Sequence, residues 1–238
     1  MRNIIKMSDS DIVWIASFDI GKKNFAFYIE EFDKSEIIKL PRIQSSKRYN
    51  SDGTTTPDFE KIVKKVCTNG KSIIFENTDL TEGCKKSSYL DPETYHNMTD
   101  LLDMYIDYWD QCDAFVIEKQ MSFGKRHNTM ALKLGQHCWS YFAFKYGRFK
   151  EIVEFPAYHK TQVLGAKKII SKGGTKYKAI DKPARKKWSV EKAISILKER
   201  NDDKTISALT SAKKRDDLAD VLCQLQAFKI LVYIDKAI

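Results

Sequence analysis

Residues Ile12 to Ile20 read IVWIASFDI and residues Phe25 to Phe32 read FAFYIEEF, with only Gly21-Lys22-Lys23-Asn24 between them. Two β-rich runs joined by a short Gly/Asn turn predict a hairpin, which commits the first part of the chain to a sheet. A third short strand at Ile37 to Leu40 would continue the meander. The polar stretch Gln44 to Thr56 holds the turn-formers Asn50-Ser51-Asp52-Gly53 and reads as a loop. Pro57 to Val66 reads as a short helix with proline at its first position, and Lys71 to Phe75 as a short strand.

From Asp91 an Asp-Pro start leads into a segment in which Met98, Leu101, Leu102, Tyr105, Ile106 and Trp109 recur at steps of three and four, the spacing of an amphipathic helix reaching Cys112. Asp113 to Glu118 is an apolar strand that ends in a charge. Thr129 to Tyr146 returns to helical spacing, and Ile152 to Phe155 is another strand. Pro156 to Leu164 is a short helix or turn, Ser189 to Arg200 a helix capped by Ser189, and Lys213 to Ile234 the last and longest helix. A β-meander followed by alternating helices and strands predicts an α/β mixed sheet sandwiched by helices. No internal repeat is present.

The composition of the 238 residues, 42% hydrophobic, 31% charged and 12% aromatic, excludes a disulfide-stapled miniprotein and a disordered or fibrous chain. No run approaches the ~20 apolar residues of a membrane span. The N-terminal MRNIIKMSDSD lacks the apolar core of a secretion signal, so the protein is expected inside a cell, in the cytoplasm rather than the nucleus or mitochondrion, and without a membrane partner. Cys67, Cys84, Cys112, Cys138 and Cys223 show no Cys-x-x-Cys pairing and read as reduced thiols.

A net charge of +9 favours an anionic partner, with nucleic acid first among the candidates. Residues 165–187 hold eight lysines and one arginine against one aspartate, a net of +8. Gly173-Gly174 and Pro183 argue against a regular element there. The segment reads as a solvated basic loop, which is compatible with a backbone-binding arm.

The acids stand at telling places. Asp19 lies near the end of the first strand, beside Ile15 and Phe18, and Glu118 ends the strand of Phe115, Val116 and Ile117. A buried carboxylate is costly unless it is paired or bound to a cation. Asp216, Asp217 and Asp220 open a helix whose buried face is Leu218, Val221, Leu222, Leu225 and Phe228. At about 100° per residue, Asp220 lies ~40° and Asp217 ~100° from Asp216, bordering the apolar sector. Taken singly, Asp19 is a polar strand end, Glu118 a lysine's partner and Asp216 a helix cap. Together the carboxylates repel one another, and a hard divalent cation with oxygen ligands relieves that repulsion.

Asp19 in SFDIGKKNFAFYI, Glu118 in FVIEKQ and the terminal KKRDDLADVLCQLQ together resemble the RuvC-type Holliday-junction resolvases of the RNase H-like superfamily, with the poxvirus and mitochondrial branch nearest. The first motif alone also fits sugar-kinase-like ATPases. The resemblance covers roughly half the chain: residues 12–31, 113–136, 150–164 and 213–230. It implies a single RNase H-like domain with a five-stranded mixed sheet, a variable insertion at about 41–90 and the basic loop at 165–187. Asp19, Glu118, Asp217 and Asp220 would bind two Mg²⁺ or Mn²⁺ ions, with Asp216 an alternative ligand to Asp217. Lys160 in PAYHKTQVLG matches the family's lysine and would place a positive charge near the scissile phosphate. His159 reads as a loop histidine rather than a general base.

By the same resemblance the activity is resolution of four-way DNA junctions by paired symmetric nicks, giving 5′-phosphate and 3′-hydroxyl ends, in a homodimer with two sites. The helices Asp91 to Cys112 and Thr129 to Tyr146 carry surplus aromatics and are the candidate dimer interface. Backbone contacts fall to Lys22, Lys23, Lys125, Arg126, Lys167, Lys168, Lys172, Lys176 and Lys178, with His127 beside them. Phe123 and Tyr177 are candidates for stacking on unpaired bases. Two alternatives stay open: a nuclease of this fold acting on other branched DNA or on RNA/DNA hybrids, and a junction-binding protein without catalysis.

Overall fold

The computed structural model describes residues 10–84, 91–120, 128–170 and 177–237. Strands β1 (Ile12–Asp19) and β2 (Phe25–Asp33) form the expected antiparallel hairpin, with Asp19 opposite Ala26. β3 (Lys71–Thr78) pairs antiparallel with β2. β4 (Ala114–Lys119) and β5 (Glu151–Pro156) add in parallel on the other side of β1, giving the order β3-β2-β1-β4-β5. This is the expected mixed five-stranded sheet.

β1 is central and buried on both faces. Its Val13 and Ile15 face one core, and Ala16 and Phe18 the other. The first core is covered by α2 (Pro57–Thr68), α7 (Lys182–Glu199) and α9 (Arg215–Lys229), the last continuing as a π-helical turn over Ile230–Ile234. The second core is covered by α3 (Pro92–Met104), α4 (Ile106–Trp109) and α5 (Thr129–Tyr146). There Phe18 sits among Phe25, Phe27, Trp109, Phe115 and Phe142, and Phe115 stacks on Phe142 at 3.8 Å. The aromatic surplus of these helices is therefore largely spent on the core.

Three expectations are corrected, and one element is added. Residues 37–40 are not a strand: Asp33 accepts from the Ser35 amide and caps the short helix α1 (Lys34–Ile38). The helix expected at Ser189 begins instead at Lys182, capped by Asp181, whose carboxylate accepts from the Ala184 amide. Asp-Lys-Pro is a helix start, with proline in the first turn where no amide is needed, and not a break. The basic segment also contains the hairpin β6 (Lys168–Ile170) and β7 (Tyr177–Ala179). Finally, α8 (Asp203–Ser211), capped by Asp202, is an element that the sequence reading lacks, and α6 (Tyr158–Val163) occupies the helix-or-turn segment.

Beneath α9 lies a charged network that periodicity does not foretell. Glu30 of β2 is fully buried and accepts from Lys229 Nζ at 2.6 Å, Arg200 Nη1 at 2.9 Å, Tyr28 Oη at 2.7 Å and Gln226 Nε2 at 2.7 Å. Burial opposes ionisation of Glu30, but the two cations outweigh it and its carboxyl stays below its ordinary value. A Cβ at residue 70 would collide with Glu30 Oε1, so only glycine fits at Gly70.

Candidate metal centre

Asp19 ends β1 and Glu118 stands next to last in β4. The parallel register pairs Phe18 with Ile117, so the following residues, Asp19 and Glu118, fall side by side at the carboxyl ends of neighbouring strands. The third acid comes from α9, docked on the sheet by Gln224. Its amide donates to Ser17 Oγ, the Phe18 carbonyl and the Val116 carbonyl at 3.1–3.2 Å. Asp220 lies one turn before Gln224 and is thereby aimed at the strand ends. Asp19, Glu118 and Asp220 each offer a carboxylate oxygen, and these oxygens lie within 4.8 Å of one another.

Lys160 enters from α6, just after β5. It is buried, and its ammonium donates to Glu118 Oε2 at 3.0 Å and Asp220 Oδ2 at 2.7 Å. Burial works against its charge, but Glu118, Asp220 and Asp19 overcome it and hold the lysine protonated well above its ordinary range. Asp19 is pushed toward its neutral form. Burial, then the charges of Glu118, Asp220 and Asp217, raise its pKa well above the usual carboxylate value, and Lys160 offsets this only in part.

The paired aspartates of α9 separate. Asp216 forms an ion pair with Lys186 of α7, and that bond and charge outweigh burial to keep its carboxyl low. Asp217, raised by burial and by Asp216, is pushed up to about 6. Neither belongs to the three-acid cluster, although the charge of Asp217 reaches Asp19.

Among the proposed backbone-contacting residues, Lys22 and Lys23 lie in the β1–β2 turn, Lys167 is exposed and 4.0 Å from Asp52, and Lys168 and Lys178 lie on the β6–β7 hairpin. Lys125, Arg126, Lys172 and Lys176, with Phe123 and His127, fall outside the described residues. His159 is partly buried against Phe155 and Tyr158, and burial lowers its pKa, as suits a packed histidine.

A cleft of about 450 Å³ opens beside the acids, and Lys182, Arg185 and Lys186 from the first turns of α7 line it together with Lys160. Sequence alone does not single out these three cations, because Pro183 reads there as a breaker and leaves them in a loop.

The 170L protein of Invertebrate iridescent virus 6 is 36% identical over 251 residues, covering 96% of this chain and 93% of its own length. The chain belongs to the iridescent-virus 170L family. Protein 97L of Invertebrate iridescent virus 3 shares the family at 31% identity over 221 residues, covering 90% of this chain and 98% of its own. No protein-family model matches this chain. Among solved structures, the Fowlpox virus resolvase in complex with substrate Holliday junction DNA superposes with a TM-score of 0.51 at 18% identity, over 91% of this chain and 97% of the resolvase. This chain thus shares the fold of the Fowlpox virus resolvase.

Proposed function

We propose that the protein is a divalent-metal-dependent endonuclease that resolves four-way DNA junctions, with Asp19, Glu118 and Asp220 as its primary metal ligands and Asp217 completing the set. The observation that carries this reading is the convergence of three carboxylates, drawn from two strand ends and a helix more than 100 residues away, within 4.8 Å. Such a set is self-repelling, in keeping with the raised Asp19, and its all-oxygen donors fit a hard cation such as Mg²⁺ or Mn²⁺. When bound, two such ions supply charge neutralisation and Lewis-acid polarisation at a phosphodiester.

The chain's own residues supply the rest. Lys160, held charged between Glu118 and Asp220, places a fixed positive group where negative charge grows on phosphate. Lys182, Arg185 and Lys186 offer the entering backbone further cations. Hydrolysis would leave 5′-phosphate and 3′-hydroxyl ends. Paired nicks call for a homodimer, and the exposed Met104, Phe144 and Phe149 (75%, 95% and 97% exposed) at the ends of α3 and α5 supply apolar surface for a second copy.

The test is incubation with a labelled synthetic four-way junction with and without Mg²⁺. Paired nicks are expected only with the metal, and Asp19→Asn and Glu118→Gln should each abolish nicking while junction binding persists. Unchanged cleavage in either variant would overturn the reading.

A further inference from the structure

The carboxyl end of β4 has two sides. On one, Glu118 joins the acids. On the other, Glu118 and Gln120, which also border the cleft beside the acids, wall a second cavity of about 290 Å³ whose far side is α5, through Leu132, Gly135, Gln136 and Trp139. Three features of this cavity have no explanation in the contacts among the described residues. Gly135 is a glycine in the interior of an 18-residue helix, where it weakens the helix relative to alanine. Its φ is not positive, and a Cβ there would come no nearer than 3.8 Å to Gln120 Cγ among the described residues. Packing among the described residues therefore does not require glycine, whereas an occupant lying flat against α5 would.

Trp139 is 37% exposed at the cavity, and its indole N–H has no hydrogen-bond partner among the described residues. The amide of Gln120, partly buried, is likewise without a partner among them, and Gln136 spends only its NH₂, on Ser140 Oγ at 3.3 Å. An aromatic face, a flat floor and two amides with free donor or acceptor capacity are the chemistry that holds a planar heterocycle by stacking and reads its edge.

Resting on the proposed nuclease activity, we infer that this cavity receives the nucleobase adjacent to the scissile phosphate, unstacked from its neighbours, and sets the sequence preference of the nick. The shared wall carries the assignment. A phosphate held at Asp19, Glu118 and Asp220 leaves the next nucleotide within one backbone step of the far side of Glu118. Trp139 supplies the stacking face, Gln120 and Gln136 read the base edge, and Gly135 keeps the floor open.

The test uses the full-length protein and four-way junctions carrying each of the four bases at the positions flanking the nick. The unaltered protein is expected to favour particular bases. Trp139→Ala should flatten that preference and lower cleavage of the favoured junction about tenfold or more, while Mg²⁺-dependent cleavage persists. Gly135→Leu guards against misfolding, since it should leave the melting temperature unchanged or raised and still erase the preference by filling the cavity. In a second measurement, 2-aminopurine at the flanking position should change fluorescence on binding in Ca²⁺, and Trp139→Ala should abolish the change. Metal-dependent cleavage with the same base profile in both variants would overturn the base pocket and leave the nuclease standing. Absence of any cleavage by the unaltered protein would overturn the nuclease reading itself, and with it this inference.

Discussion

The Gln224 side-chain amide donates to the Phe18 carbonyl at 3.2 Å, one residue before Asp19, while Asp220 lies one helical turn before Gln224 on the same face of α9. The two acids are thus registered to each other through a neutral amide bonded to backbone. Gln224→Ala should cost about 1–3 kcal/mol, because buried carbonyls of Phe18 and Val116 lose their donor. It should also weaken Mg²⁺ binding. Urea denaturation in EDTA reads the first effect and calorimetric Mg²⁺ titration the second. Loss of stability with Mg²⁺ affinity intact would show that Asp220 is positioned by other means.

Lys160 holds together two acids that otherwise repel. Lys160→Gln should destabilise the metal-free protein by about 3–5 kcal/mol, the cost of stripping a buried charge of its partner. Saturating Mg²⁺ should recover much of that loss, since a cation at the acids replaces the missing charge. Denaturation midpoints with and without Mg²⁺ decide this, and a loss indifferent to the metal would separate Lys160 from the metal site.

The sign of the pH dependence at Asp217 follows from its raised value of about 6 against an ordinary 3.8. The folded protein holds this proton more tightly than the unfolded chain. The favourable contribution is therefore complete below about pH 4 and is lost as the pH rises through about 6. In EDTA, Asp217→Asn should match the unaltered protein near pH 4 and be the more stable of the two above pH 6. Equal stabilities across that interval would remove the burial and repulsion assigned to this carboxylate.

The basic hairpin should act through charge alone. Replacing Lys167, Lys168 and Lys178 by glutamine should reduce the slope of log affinity against log salt by up to ~0.9 for each phosphate no longer neutralised, with the metal dependence of cleavage unchanged. An unaltered slope in a junction-binding titration would direct the hairpin elsewhere.

Lys229→Met tests the network under α9. Glu30 would keep Arg200 but lose a partner with which it is wholly buried, and a loss of about 3–5 kcal/mol is expected from denaturation. A neutral outcome would mean that the apolar replacement offsets the lost pair.

Local pattern carried the hairpin of β1 and β2, the strand ending in Glu118, the helix Thr129–Tyr146 and the acids of α9, because period and chain punctuation act over a few residues. It failed at Ile37 and at Pro183, where a capping aspartate reverses the meaning of the residues after it. It gave no sign of Glu30 with Lys229, a pair 199 residues apart whose burial no neighbouring residue announces.

The kinds of groups at the candidate site were thus written in the chain: Asp19, Glu118, Lys160 and the aspartates of α9 stand where strand ends and a helix start put them. Which of those aspartates joins the cluster was decided only in three dimensions. Asp216, Asp217 and Asp220 are equivalent by charge and close by helical angle, but Lys186 draws off Asp216, and Gln224 turns Asp220 toward the strand ends. Sequence specifies the chemistry each residue brings. Long-range hydrogen bonds and ion pairs, whose energies depend on a few tenths of an ångström between distant segments, select the ones that meet.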